Sequence, residues 1–179
     1  MRIEFVDDQA RAFSLPGATS RPVEAGAFVG DVRRGGSCNC ETHVITPHGD
    51  GTHTEGIGHL LEERVPVLDL VDASLLPALV VTVAPARLED VADEVAGNHA
   101  PDDLVVDELA LAESIERSLA LHPWAHDLRA LVVRTAPGHV RRRERFSSTN
   151  PPYFSVDAAL LARERGFAHL VVDLPSLDR

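Results

Sequence analysis

Residues 46–59 read T-P-H-G-D-G-T-H-T-E-G-I-G-H, and this segment determines how the rest of the chain is interpreted. It carries three histidines, two carboxylates and four glycines, namely His48, His53, His59, Asp50, Glu55, Gly49, Gly51, Gly56 and Gly58. Imidazole and carboxylate groups bind Zn²⁺ or Mn²⁺, and glycine lets the backbone bend until nearby side chains reach one centre. His53 and Glu55 share one face in extended backbone. The segment therefore predicts a metal site, although a polar surface loop that binds no metal has the same composition.

Strands and helices alternate along the chain, and the metal segment follows a predicted strand. We predict strands over residues 1–8, 26–32, 37–45, 79–83, 130–134 and 168–173, with a strand or loop over 101–106. We predict helices over 88–95, 107–121 and 155–165, with a short helical or irregular piece over 60–72. Ser155 is the predicted N-cap of the last helix, and Gly166 is its C′ residue. This alternation predicts the α/β class.

Length and charge restrict the classes of function. With 179 residues and 44% hydrophobic residues, the chain is long enough for one domain with a well-developed core. A net charge of −11 argues against a nucleic-acid or anionic-membrane partner, because the field of the protein repels both. The run Arg141–Arg143 is interrupted by Glu144, and we interpret it as a solvated or substrate-facing strand end. The sequence contains no lysine, which excludes Schiff-base chemistry.

The two cysteines and the N-terminus indicate a reducing compartment. Cys38 and Cys40 are separated by one residue, a poor spacing for a mutual disulfide. We expect them to be small buried side chains on a strand rather than thiolate ligands of a metal. The N-terminus has no apolar signal region, and no window of the sequence approaches a membrane span, so we expect a cytoplasmic protein.

Two segments resemble the cyclase family, which includes bacterial kynurenine formamidase and isatin hydrolase. Residues 47–59, P-H-G-D-G-T-H-T-E-G-I-G-H, resemble the family signature H-x-G-T-H-x-D-x-P-x-H. Residues 172–178, V-D-L-P-S-L-D, resemble the later D-x-P-S-x-D segment in the expected order, although a plain strand exit with solvated aspartates would read the same. The resemblance implies a swivelling β/β/α domain over 1–179, with a mixed sheet and flanking helices. It also implies a divalent metal (Zn²⁺ or Mn²⁺), a homodimer or higher homo-oligomer, and hydrolysis of an amide bond in a small aromatic or cyclic substrate.

The resemblance assigns roles residue by residue. His53 matches the second metal histidine, Glu55 stands at the position of the aspartate ligand, and His59 matches the closing histidine that acts as acid and base. His48 is the counterpart of the first metal histidine, displaced by one residue, and Asp50 is the alternative ligand. The region before the last helix lies near the substrate in the family, so the expected substrate-binding residues are Asn150, Tyr153 and Phe154.

The sequence also departs from the family. The family continues past D-x-P-S-x-D into a helical segment that carries a further His and Glu near the metal, so we expect this chain to lack the C-terminal segment. Two other functions remain open, namely a metal-dependent cyclase or dehydratase of a polyketide-type intermediate, and a catalytically silent metal-binding dimer. Outside these segments, His122 and His126 flank Trp124, and we expect a turn that packs the indole against the core rather than a second metal site.

Overall fold

The computed structural model describes residues 3–6, 8–71, 75–136 and 146–178. The chain forms two compact units, one of Met1–His53 with Arg142–Thr149 and one of Thr54–Arg141 with Asn150–Arg179. The arginine run at 141–143 lies outside the described residues. None of the helices in the described ranges is both long and apolar enough to cross a membrane.

The first unit consists of short antiparallel strands and one turn of helix. Its elements are β1 (Thr19–Pro22), β2 (Glu24–Ala25), β3 (Phe28–Val29), β4 (Glu41–Val44) and α1 (Pro47–Asp50). β1 pairs with β4, and β2 pairs with β3 through a tight turn at Gly26, whose φ of +59° favours glycine. β4 leads directly into the metal segment, as the sequence predicts.

The second unit contains two small sheets and the longer helices. Its elements are α2 (Val67–Leu70), β5 (Ala78–Val83), β6 (Ala86–Arg87), β7 (Leu104–Val106), α3 (Glu108–Leu121), β8 (Ala130–Thr135), β9 (Tyr153–Phe154), α4 (Val156–Glu164) and β10 (His169–Val172). One sheet is parallel in the order β10-β8-β5, and the other has the mixed order β6-β7-β9. The chain is therefore of the α/β class, as predicted.

The core of the second unit follows from the spacing of its apolar residues. Alternate residues of β5 are buried, and α3 buries residues four apart along one face; these side chains are Leu79, Val81, Val83, Leu111, Ile115 and Leu119. The predicted strands at 79–83, 130–134 and 168–173 and the predicted helices at 107–121 and 155–165 are confirmed within two residues at their ends. Ser155 caps α4 by accepting from Ala158 N at 2.9 Å, and Gly166 has the left-handed φ of +85°.

Asp93 connects the beginnings of α3 and α4. Its Oδ2 accepts hydrogen bonds from the backbone N–H of Glu108 at 2.6 Å and from the hydroxyl of Ser155 at 2.7 Å. Next to it, Glu94 N–H donates to the carboxylate of Asp157 at 2.7 Å. The helix predicted over 88–95 is therefore wrong, and only a 3₁₀ turn forms at Leu88–Asp90. The residues that follow this turn bond to the beginnings of α3 and α4 instead of to one another.

Shorter strands than predicted are found in the first unit. Residues 3–6 form no strand, and the strand predicted over 26–32 is limited to β3. Asp31 accounts for the second difference, because its side chain accepts from Arg33 N at 2.9 Å and starts a 3₁₀ turn at Val32–Arg34. The strand predicted over 37–45 is limited to β4.

Two predictions of burial are wrong. Cys38 and Cys40 are both exposed free thiols. The backbone of Cys40 bonds to Gly30 and Val23, and its side chain is exposed. Trp124 is 70% exposed, and Ala125 at 1% takes the core position instead. The 3₁₀ turn over Pro123–Asp127 has three residues per turn and directs one small side chain inward.

Candidate metal centre

A closed turn begins the metal segment. The carbonyl of Thr46 accepts from the backbone N–H groups of Gly49 and Asp50, each at 2.9 Å. The Asp50 side chain returns to the start of this turn, where its Oδ2 accepts from Thr46 N–H at 2.7 Å. Gly49 packs against Leu15, whose Cβ would lie 2.9 Å from a Cβ added at residue 49. The turn therefore depends on glycine at this position and holds His48 in its middle.

Three potential ligands lie together in the eight residues from 48 to 55. His48, His53 and Glu55 each offer one ligand atom, and these atoms lie within 4.8 Å of one another. The rings of His48 and His53 are stacked with centroids 4.8 Å apart and an interplanar angle of 28°. His48 is half-buried, whereas His53 and Glu55 are exposed. Among the residues that the structure describes, this is the group of His, Cys, Asp and Glu side chains that could hold a metal ion.

His53 is oriented by the backbone two residues before it. Its Nδ1 lies 2.9 Å from the carbonyl oxygen of Gly51. A carbonyl oxygen only accepts, so this contact is a hydrogen bond when Nδ1 carries the proton. In that tautomer Nε2 has a free lone pair and is the nitrogen that can bind a cation.

Glu55 connects the ligand group to His59. One Glu55 oxygen, Oε1, lies 3.2 Å from Nε2 of His59, four residues further along the chain, and both side chains are 46% exposed. His59 ends a 3₁₀ turn that begins at Ile57. A Cβ added at Gly58 would lie 2.4 Å from the carbonyl oxygen of Val65, so glycine lets this turn approach the following chain closely. Glu55 therefore contacts His59 and is also a member of the ligand group.

Asp50 is not a member of the ligand group. The residue is only 2% exposed, and its Oδ1 is buried without a hydrogen-bond partner. Burying a carboxylate oxygen without a donor or a cation is unfavourable. This orphaned oxygen sits in the same segment as the three ligands, which fits a site that takes up a positive charge.

The donor set suits a divalent transition metal. Two imidazoles and a carboxylate are ligands of Zn²⁺ and Mn²⁺, and a tetrahedral site places ligand atoms about 3.4 Å apart at the usual bond lengths. The present ligand atoms lie up to 4.8 Å apart and would have to move closer together to reach that geometry. The residues present therefore fit a divalent cation such as Zn²⁺ or Mn²⁺.

Two of the three expected substrate-binding residues, Asn150 and Tyr153, bond to a buried carboxylate in the second unit. Asp103 is 1% exposed and accepts from Asn150 Nδ2 at 2.7 Å, from the Tyr153 hydroxyl at 3.0 Å and from Ala100 N–H at 2.9 Å. Asn150 is exposed, Tyr153 is buried, and Phe154 belongs to the hydrophobic core. Sequence reasoning missed Asp103, because nothing local to residues 100–106 indicates a partner 50 positions away. The substrate-binding assignment stays a prediction.

The second family-like segment ends β10 and is held by the neighbouring strand. Asp173 accepts from the backbone N–H of Thr135 at 3.0 Å and from its hydroxyl at 2.9 Å. Ser176 donates to Asp178 at 2.6 Å, and the carbonyl of Leu177 accepts from Phe154 N–H at 2.8 Å. Asp173 therefore has a structural role at the carboxyl end of the parallel sheet and is not a merely solvated turn residue.

Comparisons with known proteins were made for the whole chain. A family model described as "Putative cyclase" matches residues 7–179. The match includes both the metal segment and residues 172–178. No curated protein and no solved structure matches the chain.

Proposed function

Because the chain belongs to the cyclase family, we propose that it is a metal-dependent hydrolase that cleaves an amide bond in a small aromatic or cyclic substrate, as an arylformamidase does. The observation that carries this proposal is the group of His48, His53 and Glu55, which brings three suitable ligand atoms within 4.8 Å of one another. When a divalent cation is bound there, it polarises the scissile carbonyl and makes water in the site more acidic.

In the proposed hydrolysis, His59 acts as the general acid and base. It takes a proton from the attacking water as the new carbon–oxygen bond forms, and it returns a proton to the nitrogen as the carbon–nitrogen bond breaks. Glu55 orients the ring, because its Oε1 lies 3.2 Å from His59 Nε2. With Nε2–H donating to Glu55, Nδ1 is the atom that exchanges the proton.

Substrate binding is proposed for Asn150, Tyr153 and Phe154. Asn150 is the accessible member of the three, since its side chain is exposed. Its Nδ2 carries two hydrogens, so it can donate one to a substrate carbonyl while the other bonds to the carboxylate of Asp103 at 2.7 Å.

We also propose that the chain works as a homodimer. Exposed leucines follow the metal segment, and Leu60, Leu68 and Leu75 have 78%, 82% and 91% of their surfaces accessible. A self-complementary interface would remove such side chains from water. Sedimentation equilibrium of the wild type and of Leu68→Ser tests this proposal, and a monodisperse wild-type monomer would contradict it.

The function itself is tested by metal content and turnover. We expect the wild type to bind zinc or manganese stoichiometrically and to hydrolyse N-formylkynurenine or a simple cyclic amide, and His53→Ala to lose both properties. His43→Ala is the matched control, because His43 is exposed and stacks on Phe5 with centroids 4.6 Å apart. Undiminished metal in His53→Ala would contradict the site.

The family description favours one alternative, a cyclase or dehydratase that uses the same cation. Turnover of a polyketide-type intermediate without amide hydrolysis would support that function. Stoichiometric metal without either reaction would support a silent metal-binding dimer.

A further inference from the structure

Asp50 differs from the other acidic and imidazole side chains of the metal segment. It is 2% exposed, whereas His53 and Glu55 are exposed and His48 is half-buried. Its carboxylate does not belong to the group of ligand atoms that lie within 4.8 Å of one another. A buried carboxylate beside a ligand group, but outside it, needs a different explanation from that of a ligand.

One oxygen of Asp50 shapes the turn that carries His48. Oδ2 accepts from Thr46 N–H at 2.7 Å, while the carbonyl of Thr46 accepts from Asp50 N–H at 2.9 Å. Both backbone polar groups of Thr46 are thus bound to Asp50, the N–H to its side chain and the carbonyl to its backbone. A hydrogen bond to a carboxylate is stronger than one between neutral groups, so this contact is well suited to fix the turn.

The backbone that follows Asp50 orients the second imidazole. Gly51 is the next residue, and its carbonyl accepts from His53 Nδ1 at 2.9 Å. The position of Gly51 depends on the turn that ends at Asp50. The directions of both imidazoles therefore follow from the backbone that the Asp50 carboxylate holds.

The second oxygen of Asp50 has no hydrogen-bond donor. Oδ1 is buried and unpaired, which destabilises the metal-free protein. A cation held by His48, His53 and Glu55 would offset part of that cost through its charge, without coordination by Asp50. The same side chain thus disfavours the empty site and favours the filled one.

We propose that Asp50 is a positioning residue for the metal ligands, acting through the Thr46–Asp50 turn and through its uncompensated charge. This inference rests on the proposed metal-binding function and goes beyond it, because it assigns Asp50 to the support of the site rather than to coordination. Mutation of residues that orient metal ligands without binding the metal commonly changes metal affinity by about 10- to 100-fold.

The test compares Asp50→Asn with the wild type in the full chain. Asparagine keeps an oxygen that can accept from Thr46 N–H but removes the charge. Asp127→Asn is the matched control, since it removes one charge from an exposed aspartate outside the metal segment. Zinc affinity is measured by competition with a chromophoric chelator, the metal-free unfolding midpoint in urea, and the coordination by the absorption spectrum of the Co²⁺ form.

We expect Asp50→Asn to bind zinc at least about tenfold more weakly than Asp127→Asn, with a metal-free midpoint equal to or above that of the wild type. We also expect an unchanged Co²⁺ spectrum, because the ligands are the same. Zinc affinity equal to that of the control would overturn the inference while leaving the proposed function intact. A changed Co²⁺ spectrum would make Asp50 a ligand, and a destabilised or unfolded Asp50→Asn protein would make its role structural, so either result would also overturn it. A wild type that binds neither zinc nor manganese would refute both the proposed function and the inference.

Discussion

Asp173 accepts hydrogen bonds from both the backbone N–H and the hydroxyl of Thr135, although the two residues are 38 positions apart. Thr135 ends β8 and is completely buried. We expect Asp173→Ala to lower the free energy of unfolding by about 2–6 kcal/mol, because two buried donors lose their acceptor at about 1–3 kcal/mol each. Urea denaturation measures the loss. Asp173→Asn retains one acceptor oxygen and should lose less, and equal stability of all three proteins would contradict the contact.

The hydrogen bond from the Tyr153 hydroxyl to the Asp103 carboxylate is expected to stabilise the protein. Both residues are 1% exposed, and the hydroxyl donates at 3.0 Å. We expect Tyr153→Phe to lower the free energy of unfolding by about 1–3 kcal/mol, because a buried carboxylate loses one of its donors. Thermal or urea unfolding checks this effect. If the hydroxyl binds substrate instead, the variant would keep its stability and raise KM.

These two contacts show why part of the structure could not be predicted. Helix α3 was predictable because its information is local: Leu111, Ile115 and Leu119 recur at helical spacing, and Asp107 caps the first turn. The stretch after residue 90 was not, because Asp93 bonds to Ser155, 62 positions away, in place of a local partner. Local preference yields to such tertiary hydrogen bonds, and a single sequence does not display them.

The same difference between local signals and long-range contacts applies to the candidate site. His48, His53 and Glu55 lie within one short glycine-rich segment, so their approach required only local flexibility and was predictable as a group. The burial of Asp50 was not predictable, since it depends on the packing of neighbouring chain against the turn. Asp103 and Tyr153 lie 50 positions apart in the sequence, and the residues around either one do not indicate that they pair.

The Asp31–Arg33 pair predicts a pH dependence in the first unit. Hydrogen bonds from the Arg33 side chain and backbone lower the pKa of Asp31 below its usual value of 3.8. A lowered folded-state pKa contributes stability that is present above pH 3.8 and is lost as the pH falls through the lower folded-state value. We therefore expect unfolding free energy to fall with acidification below about pH 4 less steeply in Asp31→Asn than in the wild type. Parallel pH profiles would contradict this assignment.

Trp124 is the only tryptophan of the chain, so its fluorescence reports on one position. Its indole is 70% exposed and meets His122 edge to face with centroids 6.0 Å apart. We expect red-shifted native emission that acrylamide quenches efficiently, and little change on unfolding. Blue-shifted emission that is protected from acrylamide would mean that the indole is covered. The same measurement across a range of protein concentrations would show whether that cover comes from a second copy.

His59 provides the sharpest test of catalysis, because the proposal separates it from the ligands. His59 contacts the metal group through the Glu55 carboxylate at 3.2 Å. We expect His59→Ala to retain stoichiometric metal and to lose kcat by about 10²-fold or more, since it removes the group that transfers the proton. His99→Ala is the matched control, as His99 is exposed and contacts the backbone of Gly97. Metal content measured by atomic absorption together with kcat decides the role: loss of the metal along with activity would place His59 among the ligands, and full activity would remove it from the mechanism.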